Sequence, residues 1–235
     1  MTLSAVLVLS AVTGLALFLA TPAVLRRLPE PSPVRGAGEA EDTHEADQAE
    51  DAKIPYAALA TRRFAAIVGV LSAVAVATPA LVLPRTVLPG WLVLATLGVL
   101  LAAIDARTTW LPLPLTRVAW GAMAVATVAG AVLGGWAQLV RGLGGFLLAG
   151  LVFGAVWLIT RGGIGFGDVR FAPLVGAATA ACSWSLLAWA LVLGSLAGAL
   201  VGLLRLAGGR RGSFAYAPSI LAGAYLATAV AWLTT

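Results

Sequence analysis

Asp105 and Asp168 are the residues best placed to do chemistry. The chain has 235 residues and ten acids. Eight of these, Glu30, Glu39, Glu41, Asp42, Glu45, Asp47, Glu50 and Asp51, fall in one polar stretch. Only Asp105 and Asp168 lie in the apolar remainder. A carboxylate near the middle of a membrane helix costs roughly 2.5–3.5 kcal/mol, less near the interface, and normally faces the bundle interior at a working site. Two carboxylates held together cannot both ionise easily, so one keeps a proton beside a charged partner. Such a pair can hydrolyse a peptide. The carboxylate takes a proton from water, the water attacks the carbonyl, and the protonated partner donates to the carbonyl oxygen.

Little else in the chain offers an alternative. Cys182 is the single cysteine and His44 the single histidine. One cysteine makes no intrachain disulfide and no multi-cysteine zinc site. One histidine in a polar segment makes no Ser-His triad and no His-rich metal site. No metal and no cofactor is expected.

The elements that must position the aspartates are helices in lipid. Apolar residues make up 60% of the chain and charged residues 11%, where a soluble domain is near half and a quarter. Mean hydropathy is +0.98. The expected fold is an all-α membrane protein, a polytopic bundle of about eight transmembrane helices. Apolar runs predict them at 3–25, 64–83, 89–105, 117–137, 143–160, 169–182, 184–205 and 213–234. All approach the ~20 residues needed to cross except 169–182, which needs support from neighbours. Residues 1–25 read as a first transmembrane helix, 26–63 as a disordered cytoplasmic linker, and 64–235 as a transmembrane catalytic domain. Glycines such as Gly130, Gly134, Gly194 and Gly198 suggest close helix packing. Trp91, Trp136, Trp184 and Trp232 are expected at one membrane interface, with Trp110 and Trp120 at the other.

Charge sets the expected orientation. With the N-terminus outside, the inside loops hold Arg26, Arg27, Arg35, Lys53, Arg62, Arg63, Arg107, Arg117, Arg161, Arg170, Arg205, Arg210 and Arg211. Only Arg85 and Arg141 fall outside. This is a strong positive-inside bias, and it puts Asp105 and Asp168 at one depth on the cytoplasmic side. The net charge of +5 is scattered along loops without a basic stripe, so nucleic acid is not an expected partner.

The aspartates sit in distinctive surroundings. Asp168 ends Arg161-Gly-Gly-Ile-Gly165-Phe-Gly167-Asp168, with four glycines in six residues, and is followed by Val169-Arg170-Phe171. These glycines would let the backbone take unusual dihedrals and approach a bound chain. Asp105 is followed by Leu111-Pro112, Leu115 and Thr116. Further on, Phe214-Ala-Tyr216-Ala-Pro218 opens the last helix. Together these segments resemble the type IV prepilin peptidases, a family of GxGD-type membrane aspartyl proteases, over roughly residues 65–234. With Gly at 27 of 235 positions, two glycines so placed beside an Asp arise by chance about 1% of the time. The weight rests on the motifs in combination.

The resemblance implies that Asp105 and Asp168 are the catalytic pair, that Gly165 and Gly167 shape the second motif, and that Pro112, Thr116, Arg170 and Pro218 give support. It implies cleavage of the short basic leader of pilin or pseudopilin precursors, after a glycine and before an apolar helix, in a bacterial inner membrane. Many members carry a cysteine-rich zinc segment in the first loop and methylate the new N-terminus. That loop has no cysteine here, so peptidase activity without methylation is expected. Leu113 stands where many members have Asp or Asn. Other readings of the same residues are a transporter or channel with aspartates on a proton path, or another GxGD protease cutting within the membrane. An isolated Asp168 could also be a plain helix N-cap.

Overall fold

A computed structural model describes residues 1–30, 54–161, 163–209 and 214–233, without the side chains of 232 and 233. The described residues form eight long helices and no strand. They are α1 (Leu3–Arg27), α2 (Arg62–Val82), α3 (Arg85–Thr108), α4 (Leu113–Gly134), α5 (Trp136–Ile159), α6 (Phe166–Cys182), α7 (Trp184–Ala207) and α8 (Ala217–Leu233). A short 3-10 turn, Tyr56–Leu59, precedes α2. Six helices, α1 to α5 and α7, are long and apolar enough to cross a membrane. This is an all-α polytopic membrane protein. The expectation of a disordered linker concerns mainly residues 31–53, which lie outside the described residues, as does the side chain of Trp232.

Local chemistry fixes the helix ends. Hydroxyls of Thr2, Thr61 and Ser183 accept N–H groups from the first turns of α1, α2 and α7 at 3.3, 3.2 and 3.0 Å. Lipid offers no partner to a free amide, so such caps matter. The α4–α5 junction is tighter than the apolar pattern predicts. Gly135 alone, at φ 90, turns the chain, and α5 begins at Trp136 rather than at 143. Arg141 therefore lies on a helix and not in a loop.

The short segment expected at 169–182 spans Phe166–Cys182. At 17 residues it is about 26 Å long, less than the ~30 Å hydrocarbon core. Its neighbours compensate: every residue from Phe171 to Ala180 is buried. It contacts α5 most closely, because Gly145 and Gly176 meet backbone to backbone. A Cβ on either would collide with the other's carbonyl oxygen. α1 and α2 meet the same way at Gly14 and Gly69.

α3 is not regular. It opens with a 3-10 turn at Arg85–Val87 and contains a π-helical stretch at Leu94–Gly98. A π turn holds one extra residue and rotates the rest of the helix by about 100°. Asp105 lies beyond it, so its facing direction is not the one a regular helix would give. One tryptophan departs from expectation. Trp91 is fully buried, donates to Cys182 Sγ at 3.4 Å, and packs edge-on against Tyr225. Its polar atom finds a partner inside the protein instead of at the interface. Trp136, the first residue of α5, is 74% exposed.

Candidate active site

Three connections meet at one end of the bundle, α3–α4, α5–α6 and α7–α8. They enclose a cavity of about 570 Å³ lined by residues that include Asp105, Trp110, Gly165, Asp168, Phe214 and Tyr216. Asp105 comes from the last turn of α3 and is 3% exposed, and Asp168 from the first turn of α6 and is 5% exposed.

The first amide of α8 reaches into the site beside both carboxyl groups. Ala217, the first residue of α8, donates its N–H to Asp105 Oδ2 at 3.1 Å. The same N–H lies near the Asp168 carboxyl group without a hydrogen bond to it. The first amides of a helix have no partner within it and carry the positive end of its dipole. Pro218 follows and has no N–H of its own. Pro218 does not line the cavity, so its support is to set the start of α8 and leave the Ala217 amide pointing at the aspartates.

Asp168 is the third residue of its helix, and Gly165 is the N-cap. The N-cap alternative for Asp168 is therefore corrected. Its side chain folds back toward the Gly165 amide, in the manner of the acidic residue in a capping box. Its Oδ1 is buried and has no hydrogen-bond partner. An unpaired buried acceptor is costly, and it belongs to a residue that lines the cavity.

The two motif glycines serve different needs. A Cβ on Gly165 would stand 3.0 Å from Asp168 Oδ2, and one on Gly167 would stand 2.9 Å from Leu111 Cδ1. Gly165 makes room for the carboxylate, and Gly167 lets the α3–α4 connection close over the site. Unusual dihedrals are not their role. Gly165 has φ −64, and among the described residues of this loop the left-handed one is Arg161 at φ 52. In the facing connection, Thr109 at φ 55 turns the chain out of α3.

The remaining expected residues are close by, without touching the aspartates. The Pro112 carbonyl accepts both the amide and the hydroxyl of Thr116, at 3.0 and 3.1 Å, which starts α4. Arg170 lines the cavity and places its guanidinium 4.5 Å from the centre of the Phe166 ring. Its carbonyl accepts the Trp120 indole N–H at 2.9 Å. Among the described residues neither aspartate forms an ion pair, and no cluster of three or more His, Cys, Asp or Glu could hold a metal ion.

One part of the site departs from the sequence reading. Glu30, although exposed, is not simply a free member of the acidic stretch. Its carboxylate accepts the amides of Tyr56 and Ala57 at 2.9 and 3.1 Å, tying together the chain on either side of residues 31–53. Tyr56 is 2% exposed. Burial, then the charges of Glu30 and Asp105, push its hydroxyl up to about 12, so it stays protonated near Asp105. Nothing in the acid-rich composition distinguishes Glu30. The only signal is Pro55-Tyr56, an aromatic that resumes apolar sequence just ahead of α2.

Fold and site together define a polytopic helical membrane protein with a buried carboxylate pair in a cavity at one end. The type IV leader peptidase family model matches residues 92–203. That segment contains both aspartates and both motif glycines and stops before Phe214. The match supports a prepilin-peptidase-type protein, a peptidase of the membrane. No curated protein and no solved structure matches the chain.

Proposed function

We propose that this protein is an aspartic endopeptidase that removes the leader from type IV pilin-like or pseudopilin precursors at the cytoplasmic face of a bacterial inner membrane. The observation that carries the reading is the meeting of the chain's two isolated body carboxyl groups in the wall of one cavity, where Asp105 accepts the Ala217 N–H. The positive-inside distribution of arginines supports the cytoplasmic placement of that end.

In this reading the ionised aspartate takes a proton from a water held between the pair. The water oxygen bonds to the carbonyl carbon at the scissile bond. The protonated aspartate gives its proton to the carbonyl oxygen, which becomes a hydroxyl in the tetrahedral intermediate. Collapse re-forms the carbonyl, breaks the C–N bond, and sends a proton to the leaving amine. The products are a leader carboxylate and a new N-terminus, and the pair again holds one proton. The cavity is within the size range of sites that hold a ligand, and its aromatic wall suits apolar residues near the cut. The new N-terminus stays unmethylated.

Co-expression with a prepilin tests this. The wild type is expected to shorten the precursor by its leader and leave an unmethylated terminus by mass. Asp105→Ala and Asp168→Ala are each expected to insert and leave the precursor whole. Full processing by either variant overturns the assignment.

A further inference from the structure

The cavity holding the aspartates shares part of its wall with a second opening. Phe214 and Tyr216 line that cavity, and they also line a cleft of about 500 Å³ along α7, with Ser195, Ala199, Leu203 and Leu206. Those four positions recur every three to four residues, so they form one stripe of α7. All four are exposed. The rings lie across the adjoining glycine face. The Tyr216 ring occupies the space where Gly198 lacks a Cβ, and Phe214 lies 3.6 Å from where a Gly202 Cβ would be. Phe214 packs edge-on to Tyr216 at 5.9 Å. The two rings thus form an edge with the aspartates on one side and an outward-facing apolar cleft on the other.

We propose that this cleft receives the first turns of the substrate's apolar helix, with the chain passing over the Phe214–Tyr216 edge into the cavity. The inference rests on the peptidase reading. A scissile bond must be extended and desolvated to meet two carboxyl groups, while the apolar helix that follows it stays in lipid. The substrate must therefore leave the cavity sideways. A helix docks in lipid by close packing, which small side chains such as Ser195 and Ala199 permit. A second lateral groove of about 340 Å³ lies between α2, α3 and α8, lined by residues that include Val74, Thr78, Ala103 and Pro218. It shares no lining residue with the cavity. Continuity with the aspartates selects the α7 cleft.

The test is prepilin cleavage by full-length protein in detergent or vesicles, with steady-state constants. Ala199→Trp, which fills the cleft, is expected to raise KM about tenfold with kcat within about twofold, a loss of uniform binding. Val74→Trp, in the other groove, is expected to change neither. A photoreactive residue at position 199 is expected to crosslink to the precursor's apolar helix, and one at position 74 is not. Unchanged KM for Ala199→Trp, or crosslinking from position 74 in place of 199, overturns the docking site while cleavage by the wild type upholds the peptidase reading. Failure of the wild type to cleave at all overturns both.

Discussion

At the residue scale, the site depends on small clearances around two carboxyl groups. Gly165→Ala sets a methyl group against Asp168 Oδ2, and Gly167→Ala sets one against Leu111. Displacing a reacting group by about 1 Å can cost about 100-fold in rate. Gly165→Ala, which asks the carboxylate to give by a few tenths of an ångström, and Gly167→Ala, which presses on Leu111 Cδ1 and Cβ, are each expected to lower kcat by about tenfold, within that limit. Cleavage rates at equal membrane expression check both. Asp105 and Asp168 are legible in the sequence because nothing else in the apolar body is acidic. Tyr56 and Glu30 are not, because their role comes from the approach of residue 30 to residue 56 in space. Two backbone bonds to Glu30 hold that turn. Glu30→Ala is expected to speed amide exchange at Tyr56 and Ala57 by about tenfold or more, since each bond to a charged group is worth roughly 1.5–3 kcal/mol when shielded and less at an exposed position. Unchanged exchange there would show that the turn does not depend on Glu30.

At the element scale, apolar runs reveal the eight helices but not their facing directions. The π-helical stretch of α3 is invisible to a periodicity argument, because it adds a residue without changing composition. It also sets where Asp105 points. Deleting Thr96, inside that stretch, is expected to restore regular winding and swing Asp105 by about 100°. Leader removal should be lost with α3 still inserted, and retained cleavage would show that the bundle absorbs the shift. α6 teaches a related lesson. Its shortness is legible, but its remedy is not. Burial on all sides by the neighbouring helices lets 17 residues serve and starts α6 where Asp168 lines the cavity with Asp105.

At the scale of the whole molecule, three connections far apart in sequence converge at one end and bring both aspartates to one cavity. The proposed orientation has a direct check, since the chain has one cysteine to remove. In a Cys182→Ser background, a cysteine placed at residue 41 is expected to react with a membrane-impermeant thiol reagent only when the cytoplasmic side is open. A cysteine in place of the outward-facing Trp136 is expected to react from outside. The reverse pattern would move the aspartates to the other face and remove the cytoplasmic reading.

The central claim is that Asp105 and Asp168 act as one unit, and non-additivity measures that most directly. Single-turnover cleavage of a prepilin is to be followed for the wild type, Asp105→Asn, Asp168→Asn and the double variant. Groups that act together lose nearly everything when either is removed. The expected result is that each single variant is as slow as the double, at least about 1000-fold below the wild type. A single variant that keeps the wild-type rate, or losses that multiply in the double, would contradict the claim.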